Sequence, residues 1–157
     1  MMIRFRLNQR WVECEAEPYE TLLDVLRERL GVRSVKRGCN VGECGACTVL
    51  LDGEPGNSCL LLAPQVKGRS VETLEGLTEK PLMKELIEAF LEDGAIQCGY
   101  CTPGMLVSAY ALLRAKPRPS EEEVKRAIVG NLCRCTGYVN IIKAIMDASR
   151  RLSFEGE

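Results

Sequence analysis

Eight of the nine cysteines of this chain gather in two compact groups. Thiolates at that density suit iron–sulfur clusters, zinc or Cu(I), because polarizable sulfur donates well to soft metals. The first group is Cys39, Cys44, Cys47 and Cys59, which reads C-x4-C-x2-C followed by a fourth cysteine within GCNVGECGACTVLLDGEPGNSC. That is the plant-type spacing of a [2Fe–2S] cluster. The second group is Cys98 and Cys101 in QCGYCTPGM with Cys133 and Cys135 in GNLCRCTGY. Its C-x2-C and C-x-C halves lie so far apart that only a fold can unite them. Four thiolates also hold structural zinc, and that reading stays open on spacing alone. Cys14 has no spacing partner and reads as a buried apolar residue of a strand rather than a ligand.

The absence of histidine excludes a large share of site chemistry. It removes Cys2His2 zinc, Rieske clusters, haem on a proximal histidine and most hydrolytic triads. No paired carboxylates or activated nucleophile stand out either, so the reading names no catalytic residue. The net charge of −1 leaves no basic excess for nucleic acid. No apolar run approaches the roughly 18 residues that suggest a membrane span. The opening MMIRFRLNQR lacks the apolar stretch of a secretory signal, which points to a reducing, cytoplasmic setting where dense cysteines bind metal rather than form disulfides.

The elements that must position these cysteines divide the 157 residues at about positions 74 to 80. In the first part Ile3, Phe5 and Leu7 alternate with Arg4 and Arg6, a turn falls at Asn8 and Gln9, and Trp11 to Glu15 form the return strand of a hairpin. Leu22, Leu23, Leu26 and Leu30 then recur at helical spacing, with Thr21 as cap and Gly31 as stop. Cys47 to Leu51 read as a strand ending in a turn at Asp52 and Gly53. The second part reads as four helices. One runs from Pro81 to Asp93 before Gly94; one is capped by Thr102 ahead of Pro103 and broken by KPRP. A third carries the capping box Ser120 and Glu123 and stops at Gly130, and the last is capped by Asn140. Gly38, Gly42 and Gly45 flank ligand positions, where the backbone must wrap an inorganic core and aim amides at sulfur. The helix N-terminus beside Cys101 is expected to favour its thiolate. Lys36 and Arg37 either offset cluster charge or form a solvated basic pair.

At these residues the chain resembles the small iron–sulfur subunit of the molybdenum hydroxylases, the xanthine dehydrogenase, aldehyde oxidase and carbon monoxide dehydrogenase family. The segments that carry the resemblance are KRGCNVGECGACTVLLDG, SCLLLA, TLEGL, GAIQCGYCTPGM and EEVKRAIVGNLCRCTGY. Gly56, Ser34 and Val35 depart from the family pattern without removing a ligand, Gly56 being read as loosening a turn. The resemblance implies an α+β architecture: a β-grasp plant-ferredoxin-like domain over residues 1–76, then an all-α four-helix-bundle domain over residues 81–152. Each would hold one [2Fe–2S] cluster.

The same resemblance implies partners and a role. A large subunit would carry a molybdopterin cofactor next to the second cluster, and a medium subunit would carry FAD nearer the first, in a hetero-oligomer. Gln97 matches a residue that hydrogen-bonds the pterin, and Cys135 matches the cysteine that links cluster to pterin. Electrons would enter at Cys98, Cys101, Cys133 and Cys135 and leave through Cys39, Cys44, Cys47 and Cys59. The chain would be the electron-transfer part of an oxidoreductase with no substrate site of its own. A free-standing two-cluster ferredoxin and a thiol- or metal-sensing module are the alternatives.

Overall fold

Alternation of apolar and charged residues builds the first hairpin. In the computed structural model, which describes residues 1–155, β1 (Met2–Leu7) buries Ile3, Phe5 and Leu7 and pairs antiparallel with β2 (Arg10–Glu15). Asn8 and Gln9 link them with φ of 49° and 71°, the left-handed pair that matches the twist of a two-residue hairpin. β3 (Thr48–Leu51) turns back through Asp52 and Gly53, at φ of 50° and 88°, into β4 (Glu54–Asn57). β5 (Ser70–Glu72) runs parallel to β1 and antiparallel to β3, giving the order β2-β1-β5-β3-β4. The sequence reading did not find β4 or β5. Both are short, and β4 contains Pro55 and Gly56, which belong to poor strand formers. Gly56 lies in strand β4 opposite Val49 rather than in a turn.

One helical segment covers this sheet. α1 (Leu22–Asp24) opens with a reciprocal cap in which the Asp24 amide donates to Thr21 Oγ1 at 3.1 Å and the Thr21 amide donates to Asp24 Oδ2 at 3.0 Å. It continues as a π-helical turn over Val25–Arg29 and stops at Gly31, whose φ is 68°. Leu22, Leu23, Val25 and Leu26 are fully buried with Ile3, Phe5, Val49 and Val71 in the sheet core.

The second half is the four-helix unit that the apolar spacing predicts. After the single turn α2 (Leu74–Leu77) come α3 (Pro81–Glu92), α4 (Thr102–Ala115), α5 (Glu121–Ala127) and α6 (Val139–Glu155). Met83, Leu86, Phe90, Met105, Leu113, Ile141 and Ile145 form their common core. The Ser120–Glu123 capping box is present. Three terminal assignments change. Cys101, not Thr102, occupies the cap position of α4; α5 ends at Ala127, three residues before Gly130; and Asn140 lies inside α6, where its amide donates to the Gly94 carbonyl at 3.3 Å. Of the SFEGE tail, α6 reaches Glu155, and residues 156–157 lie outside the described residues.

The two halves share a strand. Val49 joins the sheet core while its neighbour Leu50, on the other face of β3, is fully buried in the helical core. Strands buried on both faces read as unbroken apolar runs, which is why TVLL shows no alternation. Where α4 crosses the first cysteine loop the backbones approach too closely for a side chain: a Cβ on Gly104 would lie 2.4 Å from the Gly45 carbonyl oxygen. Gly104→Ala is therefore expected to destabilise the chain by about 1–3 kcal/mol through overpacking. Gly56→Ala meets nothing within 4 Å and should leave the denaturation midpoint unchanged or slightly raised.

Candidate metal centres

The loop from Gly38 to Cys47 is folded around the sulfur of Cys39. Backbone amides of Val41, Glu43 and Cys44 donate to Cys39 Sγ at 3.4, 3.2 and 3.3 Å, and the Ala46 amide donates to Cys44 Sγ at 3.4 Å. Left-handed φ at Asn40 (62°), Gly42 (78°) and Gly45 (73°) turns successive N–H groups to one side, the concave arrangement that binds anions. Gly38 serves differently: it has no left-handed φ, but a Cβ there would lie 2.5 Å from Cys44 Sγ. The amides of Val41, Cys44 and Glu43 hold the Cys39 thiol down to about 6. Burial, reinforced by the neighbouring Cys47 thiol, pushes Cys59 up to about 11.

The second set comes from two loops. Cys98 and Cys101 precede α4, while Cys133 and Cys135 lie between α5 and α6. Thr136 donates to Cys133 Sγ through its amide at 3.4 Å and its hydroxyl at 3.1 Å, and the Cys133 amide donates to the Tyr138 hydroxyl at 2.8 Å. Tyr138 adopts a φ of 71°, which folds the loop back on itself before α6. Burial works against the Cys133 thiolate, but the Thr136 bonds outweigh it and lower this thiol. Cys98 is lowered by the Tyr100 amide and then by Cys135, whereas Cys135 is raised by its hydrogen bond to Cys98. Cys101 corrects an expectation: burial, then the Cys133 thiol, pushes it up to about 12 in spite of the helix N-terminus.

The thiols of each set also act on one another's titration: Cys47 raises Cys59 in the first, and Cys133 raises Cys101 in the second. Among the described residues, no three His, Cys, Asp or Glu side chains gather as they would around a single ion. Four thiols in each set, with amides aimed at sulfur, suit the four-cysteine ligation of a [2Fe–2S] cluster. None of the nine cysteines forms a disulfide. Cys14, expected to be buried, is half-buried on β2, and burial raises its thiol. Gln97 is exposed beside Cys98, and Cys98, Cys135 and Gly137 are exposed with it.

Several residues outside the cysteine motifs tie the two loops together. The Leu132 amide donates to the Cys44 carbonyl at 2.9 Å, so one hydrogen bond joins the backbones of the two sets. Lys36 Nζ donates to the Gly99 carbonyl at 3.1 Å and lies 5.0 Å from the centre of the Tyr100 ring. Arg37 pairs with Asp24 at 2.6 Å and donates to Asn40 Oδ1 at 3.0 Å. Lys36 and Arg37 are thus pinned cations rather than a solvated pair. Sequence reasoning missed Thr136, Tyr138, Tyr100 and Asp24 as parts of the sites. Only their positions within three residues of a ligand, or at N3 of a capping box, could have flagged them.

Two family models cover the chain in tandem: a 2Fe-2S iron-sulfur cluster binding domain matches residues 5–77 and a [2Fe-2S] binding domain matches residues 73–146. The chain is 49% identical over 149 residues to the nicotinate dehydrogenase small FeS subunit of Eubacterium barkeri, covering 95% of each chain. It is 43% identical over 151 residues to the xanthine dehydrogenase iron-sulfur-binding subunit of Escherichia coli O157:H7, covering 94% of each. A chain of the crystal structure of quinoline 2-oxidoreductase from Pseudomonas putida 86 superposes with a TM-score of 0.92 at 45% identity, over 100% of this chain and 98% of that one. Aldehyde oxidoreductase from Desulfovibrio desulfuricans ATCC 27774 matches with a TM-score of 0.90 at 41% identity, over 98% of this chain and 17% of that longer one.

The chain belongs to the family of small iron–sulfur subunits of the molybdenum hydroxylases. It is an electron-transfer subunit of a hetero-oligomeric oxidoreductase, with two [2Fe–2S]-binding domains, and is not itself the catalytic chain.

The Asp24–Arg37 pair gives the first loop a pH dependence. Burial works to raise the Asp24 carboxyl, but bonds from Thr21 and Arg37 hold it below the usual carboxylate range. A depressed carboxyl stabilises the fold above its unfolded value of about 4, and that contribution disappears as pH falls through the lower folded value. Asp24→Asn should be less stable at neutral pH and should show a shallower loss of stability below about pH 4 in denaturant titrations at a series of pH values.

Proposed function

We propose that Cys39, Cys44, Cys47 and Cys59 hold one [2Fe–2S] cluster and that Cys98, Cys101, Cys133 and Cys135 hold the other. The observation that carries this reading is the donors folded onto cysteine sulfur, three amides on Cys39, one on Cys44 and the Thr136 amide and hydroxyl on Cys133, in two loops whose backbones the Leu132–Cys44 hydrogen bond joins. When bound, such a cluster supplies one-electron redox chemistry with little rearrangement. The residues of this chain set its conditions. The amides of Val41, Glu43 and Cys44 and the Thr136 hydroxyl donate to ligand sulfur, which favours the more negative, reduced form.

On this reading residues 1–76 and 81–152 are two cluster-binding units that relay electrons between larger partners. A large molybdopterin-binding subunit would deliver electrons at the exposed side of the second set, where Gln97 would hydrogen-bond the pterin and Cys135 would link it to the cluster. Exposure of Gln97, Cys98 and Cys135 together, with apolar Val129, Leu132 and Val139 exposed nearby, supports a docking face there. A medium FAD-binding subunit would accept electrons near the first loop, where Val41 and Leu60 are exposed. A cysteine-dense chain with no disulfide among the described residues favours a cytoplasmic setting, and no helix among the described residues is long and apolar enough to cross a membrane.

Iron and acid-labile sulfide per chain, with EPR of the reduced protein and identification of co-purifying chains, test the proposal. About four irons and four sulfides, two distinct [2Fe–2S] signals, and partners containing molybdenum and flavin are the expected result. Cys98→Ser should abolish one signal and spare the other. Zinc without sulfide sinks the ligand assignment, and two clusters without partners would leave a free-standing carrier. A finer check is Thr136→Val, which removes the hydroxyl donor to Cys133 but keeps the backbone one. Redox titration should show a lower midpoint potential for the second cluster and an unchanged first.

A further inference from the structure

Asn131 follows Gly130 in the loop between α5 and α6, two residues before Cys133, and only 4% of its surface is exposed. Its side chain reaches into both halves of the molecule. Oδ1 accepts from the Ser108 hydroxyl of α4 at 2.7 Å, while Nδ2 donates to the Gly45 carbonyl and to Thr48 Oγ1, each at 3.2 Å. Thr48 Oγ1 itself donates to the Gly45 carbonyl at 2.6 Å, so it has a lone pair, not a hydrogen, to offer Asn131. The amide therefore has one orientation: turned over, its oxygen would face two acceptors.

The glycines around this amide leave no room for side chains of their own. A Cβ on Gly45 would lie 2.2 Å from the Gly130 carbonyl and 2.7 Å from Asn131 Nδ2, and one on Gly104 would lie 3.3 Å from the same nitrogen. Gly45 stands between Cys44 and Cys47, and the Leu132 amide that follows Asn131 bonds the Cys44 carbonyl. A single buried amide thus fastens the backbone that carries one cysteine set to the backbone that carries the other.

We propose that Asn131 is a positioning residue that sets the register of the two cysteine sets against each other, and hence the separation of the two redox centres. The inference rests on the ligand assignment proposed above. Directional hydrogen bonds to three partners on two units define a relative position, whereas apolar packing alone leaves room to slide.

The test uses the full chain in its assembled complex, with both clusters reduced, and reads their magnetic interaction by low-temperature EPR alongside amide exchange at Leu132. Asn131→Ala should retain its iron, lose or smear the interaction splitting and exchange the Leu132 amide faster. Ser108→Ala and Thr48→Val, which each remove one partner, should move both readouts the same way by less. Met83→Ala, in the helical core on α3, should lower the melting temperature and leave both readouts unchanged. An Asn131→Ala protein with wild-type splitting and wild-type Leu132 exchange overturns the proposal even if its melting temperature falls. Should that variant not fold, unchanged readouts in both single-partner variants overturn it equally. A wild-type protein without two [2Fe–2S] signals would instead refute the ligand assignment, and Leu132 exchange in the same variants would still decide the positioning role.

Discussion

Sulfur that must carry negative charge in a folded protein needs donors, and in this chain the backbone supplies most of them. Three amides of one loop converge on Cys39 and a fourth reaches Cys44, and the chain between Gly38 and Cys47 turns left-handed at three positions. A loop so bent has few ways to satisfy itself in isolation. Arg37 is tied to the start of α1 through Asp24, Lys36 to the opposite loop through Gly99, and the exit of the loop becomes β3. The sheet, its helix and the bundle are, in this sense, the frame that keeps a strained segment in place.

The second set solves the same problem with fewer amides and more side chains. Thr136 offers both its amide and its hydroxyl to Cys133, and Tyr138 takes up the Cys133 amide, so a short C-x-C loop is stiffened from its own downstream residues. The consequence is asymmetry. Cys101 and Cys133 lie against the helical core, while Cys98 and Cys135 stand at the surface. In the first set the order is similar, with Cys47 and Cys59 buried and Cys39 and Cys44 half-exposed. Each cysteine set therefore has an inner, more buried pair and an outer, more exposed pair.

Much of this was legible in the residues because the signals were local. Cysteine spacing, the Asn8–Gln9 hairpin, the Thr21 and Ser120 caps and the apolar faces of the helices each depend on neighbours within a few positions. The misses have the opposite character. β5 exists because β1 and β3 flank it, and β4 overrides the low strand propensity of Pro55 and Gly56 because Val49 and Leu50 stand opposite. Thr102, Gly130 and Asn140 carry residue types that favour helix ends, yet tertiary contacts moved the ends away from them. Gly-Asn at 130–131 looks like ordinary turn chemistry, and the partner that gives Asn131 its meaning is Gly45, 86 positions away. The Cys101 thiol failed as an electrostatic guess because desolvation outweighed the helix terminus.

β3 serves two cores at once, with Val49 turned to the sheet and Leu50 to the bundle. A strand with no solvent face cannot belong to a half that comes and goes. Cutting the molecule between its halves would bare Leu50 along with the Gly45–Asn131 contact and create a wet, apolar wall where a dry seam had been. The two centres thus ride on one cooperative body: the chain behaves as a single rigid conductor rather than two beads on a thread.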